Sequence, residues 1–256
     1  MAEVFQLIET HAHDPKHGGY TETLARDWQP VAGVLLSDKD LNAPKSMNNH
    51  LHVLEAYTNL YHVWPEELLR TRLEALIDLF LDHILDGDGT HFHHFFDEAW
   101  TPRTSNYTYG HDIEGSWLLC EAADALGSAA LQGRVRAVAV AIARAVLEEG
   151  LDADGGLCYE GTGGHVTDTN REWWPQAEAV VGFLNAYQLT GDDTFREAAA
   201  RCWSYIENHF IDRTHGEWFW RIARGGTPDP AEPKVSAWKG PYHNGRACLE
   251  VLHRTN

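Results

Sequence analysis

Apolar residues return every three to four positions along eight stretches, roughly 2–11, 45–63, 66–85, 112–127, 130–149, 173–190, 193–210 and 240–254. That period predicts amphipathic helices, and no run alternates long enough to predict a large sheet. Several of these stretches meet at tight joints. Leu189-Thr190-Gly191-Asp192 and Leu126-Gly127-Ser128 each offer a glycine for a left-handed cap and an Asp or Ser to start the next helix, so they predict helical hairpins. Between hairpins lie longer segments rich in glycine and aromatic residues: 91–110, 155–165 and 216–233. These predict loops and short strands gathered on one rim.

The order helix, tight turn, helix, long loop recurs at about 60 residues. Such repeats each leave an apolar face that only a neighbouring repeat can cover. The fold class expected is therefore all-α, an (α/α)6-barrel type toroid with about eight of its twelve helices present, and residues 1–256 forming one domain. Uncovered faces on the terminal hairpins then predict self-association.

Four motifs stand where long loops feed into helices: MNNHLHVLEAYTNLY, YGHDIEGSWLL, EWWPQAEAVVGFLNAYQLTGD and WKGPYHNGRACLE. His52, His111, Trp174 and His243 occupy similar places in them, about 60 to 70 residues apart, so the repeat brings them toward one mouth. His111 and Glu114 are three apart and share a helical face, an arrangement in which the carboxylate can hold or tune the imidazole. Asn48 and His52 share a face at a spacing of four, and Trp238 precedes His243 by five with Pro241 between them. A polar pair on an apolar helix is ordinarily a satisfied structural pair; the recurrence of such pairs in successive repeats favours a site.

Composition sharpens this picture. Sixteen His and ten Trp in 256 residues exceed what packing needs; an indole suits the C–H face of a sugar, and an imidazole suits proton transfer near neutral pH. A formal charge of -18 would repel nucleic acid and anionic membrane surfaces. Cys120, Cys158, Cys202 and Cys248 form no CxxC pair, so no zinc ribbon or disulfide framework is suggested, and a reducing cytoplasm is expected. The acidic start MAEVFQLIETHAHD reads as a helix rather than a signal peptide. A metal reading on His91, His93 and His94 gives two ligands on one strand face without a third, and Asp38 and Asp40 lack an oxygen-rich loop around them.

KSMNNHLHVLEAYTNLY, FFDEAW, YGHDIEGSWLL, EWWPQAEAVVGFLNAYQLTGD, GEWFW and WKGPYHNGRACLE, in that order, resemble the N-acylglucosamine 2-epimerase superfamily, and within it the cellobiose 2-epimerases. The resemblance runs from near residue 1 to residue 254. It implies an (α/α)6 barrel without metal or cofactor, and reversible epimerisation at C2 of the reducing-end glucose of β-1,4-linked disaccharides such as cellobiose and lactose. It implies His111 and His243 as the two acid/base residues. Asn48, His52, Glu114, Trp174 and Trp238 would bind the sugar, with Asp40 and Trp100 as further contacts.

Two departures from the family pattern stand out. The family's charge-stabilising arginine comes from an N-terminal helix that has no counterpart in this sequence, and Asn49 stands where the family usually reads Thr. Weakened activity, or sugar binding without turnover, is then an alternative expectation, as are N-acetylglucosamine 2-epimerase and mannose isomerase activities. A glycoside hydrolase on the same toroid would need paired carboxylates at the mouth, where this sequence repeats His and Trp.

Overall fold

The computed structural model describes residues 2–29, 31 and 41–255; Asp38 and Asp40 lie outside the described residues. The described residues include eight α-helices: α1 (Ala2–His11), α2 (Met47–Val63), α3 (Glu67–Leu79), α4 (Tyr109–Leu126), α5 (Ala129–Ala145), α6 (Trp173–Thr190), α7 (Asp193–Tyr205) and α8 (Tyr242–Thr255). Short strands lie between them: β1 (Lys45–Ser46), β2 (Phe95–Phe96), β3 (Asn106–Thr108), β4 (Glu160–Thr162), β5 (His165–Asp168), β6 (Arg171–Glu172) and β7 (Arg221–Ile222). All sheet pairing is antiparallel: β1 with β2, β3 with β4 and β4 with β5, and β6 with β7.

Helix starts are set by side-chain caps. Ser46 accepts the amide of Asn49 ahead of α2, Glu66 that of Leu68 ahead of α3, and Asp192 that of Thr194 ahead of α7. Gly191 closes α6 in the left-handed conformation (φ 70°), so the α6–α7 hairpin turns in two residues. Three helices end in a way that apolar periodicity does not reveal. Each of α3, α5 and α7 widens into a five-residue π turn, at Phe80–Ile84, Val146–Gly150 and Ile206–Phe210. The chain then enters a one-residue β-bridge, Leu85 to Phe92, Leu151 to Leu157 and Ile211 to Trp218.

Residue contacts divide the chain into two compact units. The first holds residues 1–105 and 118–135, the second residues 106–117 and 136–256, so α4 and α5 are each divided. In the first unit, α2 and α3 pack as a hairpin whose core is Leu51, Leu54, Tyr57, Leu69, Leu73 and Ile77. In the second, α6 lies between α7 and α8, and most of its length is buried, which explains why that helix is apolar on nearly all sides.

The strands fix where α2, α4 and α6 start. β1 runs directly into α2, β3 into α4 and β6 into α6, so each of these helices begins on a strand held by pairing. The Tyr109 amide donates to Tyr159 O at the start of α4, and the Trp173 amide to Trp220 O at the start of α6. Asn48, His111 and Trp174 therefore each fall within the first turn after an anchored strand. Apolar side chains remain exposed on α1 (Val4, Leu7) and on α8 (Leu249, Leu252). No helix among the described residues is long and apolar enough to cross a membrane.

Candidate active site

The site is built in the second unit from the first turns of α4, α6 and α8. α4 begins at Tyr109, three residues before its apolar period does, because the Thr108 side chain takes over at its head. Thr108 Oγ1 accepts the His111 amide at 3.4 Å and lies 2.6 Å from His111 Nδ1. Gly110 sits between them for a steric reason: a Cβ there would stand 2.6 Å from the Trp174 ring. Trp174 thereby comes against His111, with ring centroids 4.7 Å apart. The same indole lies 5.4 Å from the imidazole of His243 on α8. One tryptophan thus touches both histidines that the family resemblance implies as acid/base residues.

Behind the rings is a buried charge cluster. His243 Nδ1 is 2.7 Å from Glu178 Oε1 and 3.7 Å from Glu114 Oε1. Arg246 Nη2 donates to Glu114 Oε1 at 2.5 Å and to Glu178 Oε1 at 2.8 Å. Trp117 Nε1 donates to Glu178 Oε2 at 3.1 Å, and the Arg246 guanidinium lies 4.9 Å from the Trp117 ring centroid. Both glutamates are fully buried. Burial alone would push the Glu178 carboxyl up, but the Arg246 charge and the His243 hydrogen bond outweigh it and hold that carboxyl below the usual range. An ionised Glu178 fixes the Nδ1–H tautomer of His243 and steadies its imidazolium.

Glu114, Glu178 and His243 offer three ligand atoms within 4.8 Å of one another. Their shared counter-ion is already supplied by Arg246, whose nitrogen contacts the same two carboxylate oxygens. A divalent cation would face that guanidinium at close range, so the donor set does not suit a metal.

Trp238, on the loop before α8 in the second unit, is 62% exposed, and its amide donates to Ser236 Oγ. In the first unit, Asn48 is exposed at the head of α2 and His52 is half-buried one turn on, with Nδ1 3.4 Å from Glu55 Oε2. Trp100, expected as a sugar contact, is packed: it is 5% exposed, its indole N–H donates to His17 O, and Lys45 Nζ lies 4.7 Å above its ring. Asp40 lies outside the described residues. Sequence reasoning misses Glu178, Arg246 and Trp117. Glu178 does carry a signal, as the one charged residue in α6, four residues after Trp174.

The family model for N-acylglucosamine 2-epimerase matches residues 1–247. The chain belongs to the N-acylglucosamine 2-epimerase family. A cellobiose 2-epimerase of Bacteroides fragilis is 46% identical over 251 residues, covering 97% of this chain and 64% of the relative. The solved cellobiose 2-epimerase of Bacillus thermoamylovorans superposes with a TM-score of 0.91 at 38% identity, over 99% of this chain and 64% of that one. A sugar epimerase from a ruminal bacterium superposes with a TM-score of 0.94 at 37% identity, over 100% and 65%. The fold class is thus the all-α, (α/α)6-barrel type of the epimerase family. The chain spans about two thirds of the length of these relatives.

Proposed function

We propose that this protein is a carbohydrate 2-epimerase that acts on the reducing-end glucose of β-1,4-linked disaccharides, with His111 and His243 exchanging the proton at C2. The observation that carries the reading is the pair of imidazoles on one indole, Trp174, with Nδ1 of each ring engaged by a side chain. Inversion at C2 needs a base on one face and an acid on the other, so two groups of neutral-range pKa are required. With Nδ1 engaged in both rings, exchange falls to the Nε2 edges. The sugar ring opens first, because the C2 proton is acidic only beside a C1 aldehyde. One histidine removes it, a cis-enediol forms, and the other returns a proton to the opposite face. Glu178 stabilises the imidazolium that His243 forms. The exposed Trp238 offers an apolar face on which a sugar can stack, and the buried Trp174 packs against both imidazoles.

A hydrolase reading is weaker. Glu114 and Glu178 are close enough for a carboxylate pair, but a glycosidase needs one carboxylic acid kept protonated. Glu178 is held ionised and Arg246 bridges the pair. Incubation with cellobiose separates the two: intact glucosyl-mannose supports epimerisation, and release of two monosaccharides overturns it. The exposed apolar faces of α1 and α8 further lead us to propose self-association, which sedimentation velocity would show as a species heavier than the monomer.

A further inference from the structure

One loop keeps a strained backbone where its repeat has glycine. In the first unit Asp14 Oδ1 accepts the amides of Lys16 and His17, and Lys45 Nζ donates to Asp14 Oδ2 and to Gly18 O, each at 2.8 Å. In the second unit Asp212 Oδ1 accepts the amides of Thr214 and His215, and Lys234 Nζ donates to Asp212 Oδ2 at 2.6 Å and to Gly216 O at 2.9 Å. The next residues are Gly19 (φ 74°) and Glu217 (φ 63°). Glycine takes that left-handed conformation freely, whereas a residue with a Cβ is strained in it. Strain of this kind persists where the side chain has a task.

The Glu217 carboxylate has one. Its Oε1 accepts from Lys239 Nζ at 2.9 Å and from Asn244 Nδ2 at 2.9 Å. Lys239 is 1% exposed, also donates to Lys234 O at 2.8 Å, and holds its charge 5.4 Å from the Trp173 ring centroid. Asn244 is 8% exposed and directly follows His243. A single carboxylate oxygen therefore ties the loop that carries Trp238 to the first turn of the helix that carries His243.

We propose that Glu217 is a positioning residue, clamping Lys239 and Asn244 so that α8 presents His243 to Glu178 and to the sugar. The inference rests on the two-histidine reading. It is tested with Glu217→Gly and Glu217→Gln in the full chain. Glycine relieves the strain but leaves the buried Lys239 without its counter-ion, so the melting temperature is expected to fall while the variant stays folded at the assay temperature. The kcat for cellobiose epimerisation is expected to fall roughly ten- to a hundredfold, with KM changed by no more than about twofold. Nitrogen-15 spectra of the histidine rings should show the His243 signals moved or broadened, with glutamine intermediate. Wild-type kcat and unmoved His243 signals in Glu217→Gly would overturn the proposal. So would a fall in kcat that only tracks a lowered melting temperature. If the wild type does not turn over cellobiose, the two-histidine reading fails, and the His243 signals alone decide the clamp: unmoved overturns it, moved supports it. Should the glycine variant not fold, the same readouts on Glu217→Gln decide.

Discussion

Histidine meets tryptophan both at His50 and Trp100 and at His243 and Trp174, and the two places differ in what holds the imidazole. In the first unit His50 is fully buried. Its Nε2 accepts the Tyr20 amide at 2.8 Å, its Nδ1 lies 2.6 Å from Ser46 O, and its ring is 4.8 Å from that of Trp100. Both nitrogens are committed to backbone, and burial pushes the ring pKa down to about 4. In the second unit His243 retains exposure, shares Trp174 with His111, and has its Nδ1 on an ionised carboxylate. The same pair of residue types is a structural wedge in one place and a candidate acid/base centre in the other. Backbone partners on both nitrogens hold a proton still; a buried carboxylate on one nitrogen lets the other gain and lose one.

The largest expected effect is on turnover. His111→Ala and His243→Ala should each lower kcat by about two to four orders of magnitude while the protein stays folded by circular dichroism. Trp100→Ala should instead cost about 3–5 kcal/mol of stability, read from denaturant unfolding, because it empties a packed site. Glu178→Gln should reduce kcat roughly ten- to a hundredfold. Trp238→Ala should raise KM for disaccharide with a stability change of about 0.5 kcal/mol or less, as befits an exposed ring. A separate test is stability against pH. His50 and His94 are both held at about 4 by burial, so the unfolded chain binds more protons than the folded one between about pH 6.5 and 4. Thermal melts should therefore weaken as pH falls through that window, and a flat profile there would break the contrast between the wedge and the acid/base centre.

Much of the fold is legible in the sequence because apolar period and caps act locally. The stretches 2–11, 173–190 and 193–210 reappear as α1, α6 and α7 with its π turn, since Gly191 and Asp192 carry their own conformational demands. The π turns after α3, α5 and α7 are not legible, because one widened turn barely disturbs the spacing of apolar residues. Within the site, His111, Trp174 and His243 can be read from their recurrence. Arg246 and Trp117 cannot, because each has its role through a partner on another helix. The packing of Trp100 is not legible either, because an aromatic residue in a loop motif looks the same in sequence whether its ring is exposed or, as here, 5% exposed.

The central claim is that two histidines move one proton at C2. The most direct test is to incubate the wild type and the two alanine variants with cellobiose in heavy water and measure deuterium at C2 of the reducing-end sugar. The account predicts incorporation by the wild type, together with a glucosyl-mannose product, and its loss in both His111→Ala and His243→Ala. Deuterium at C2 undiminished in either variant would contradict it.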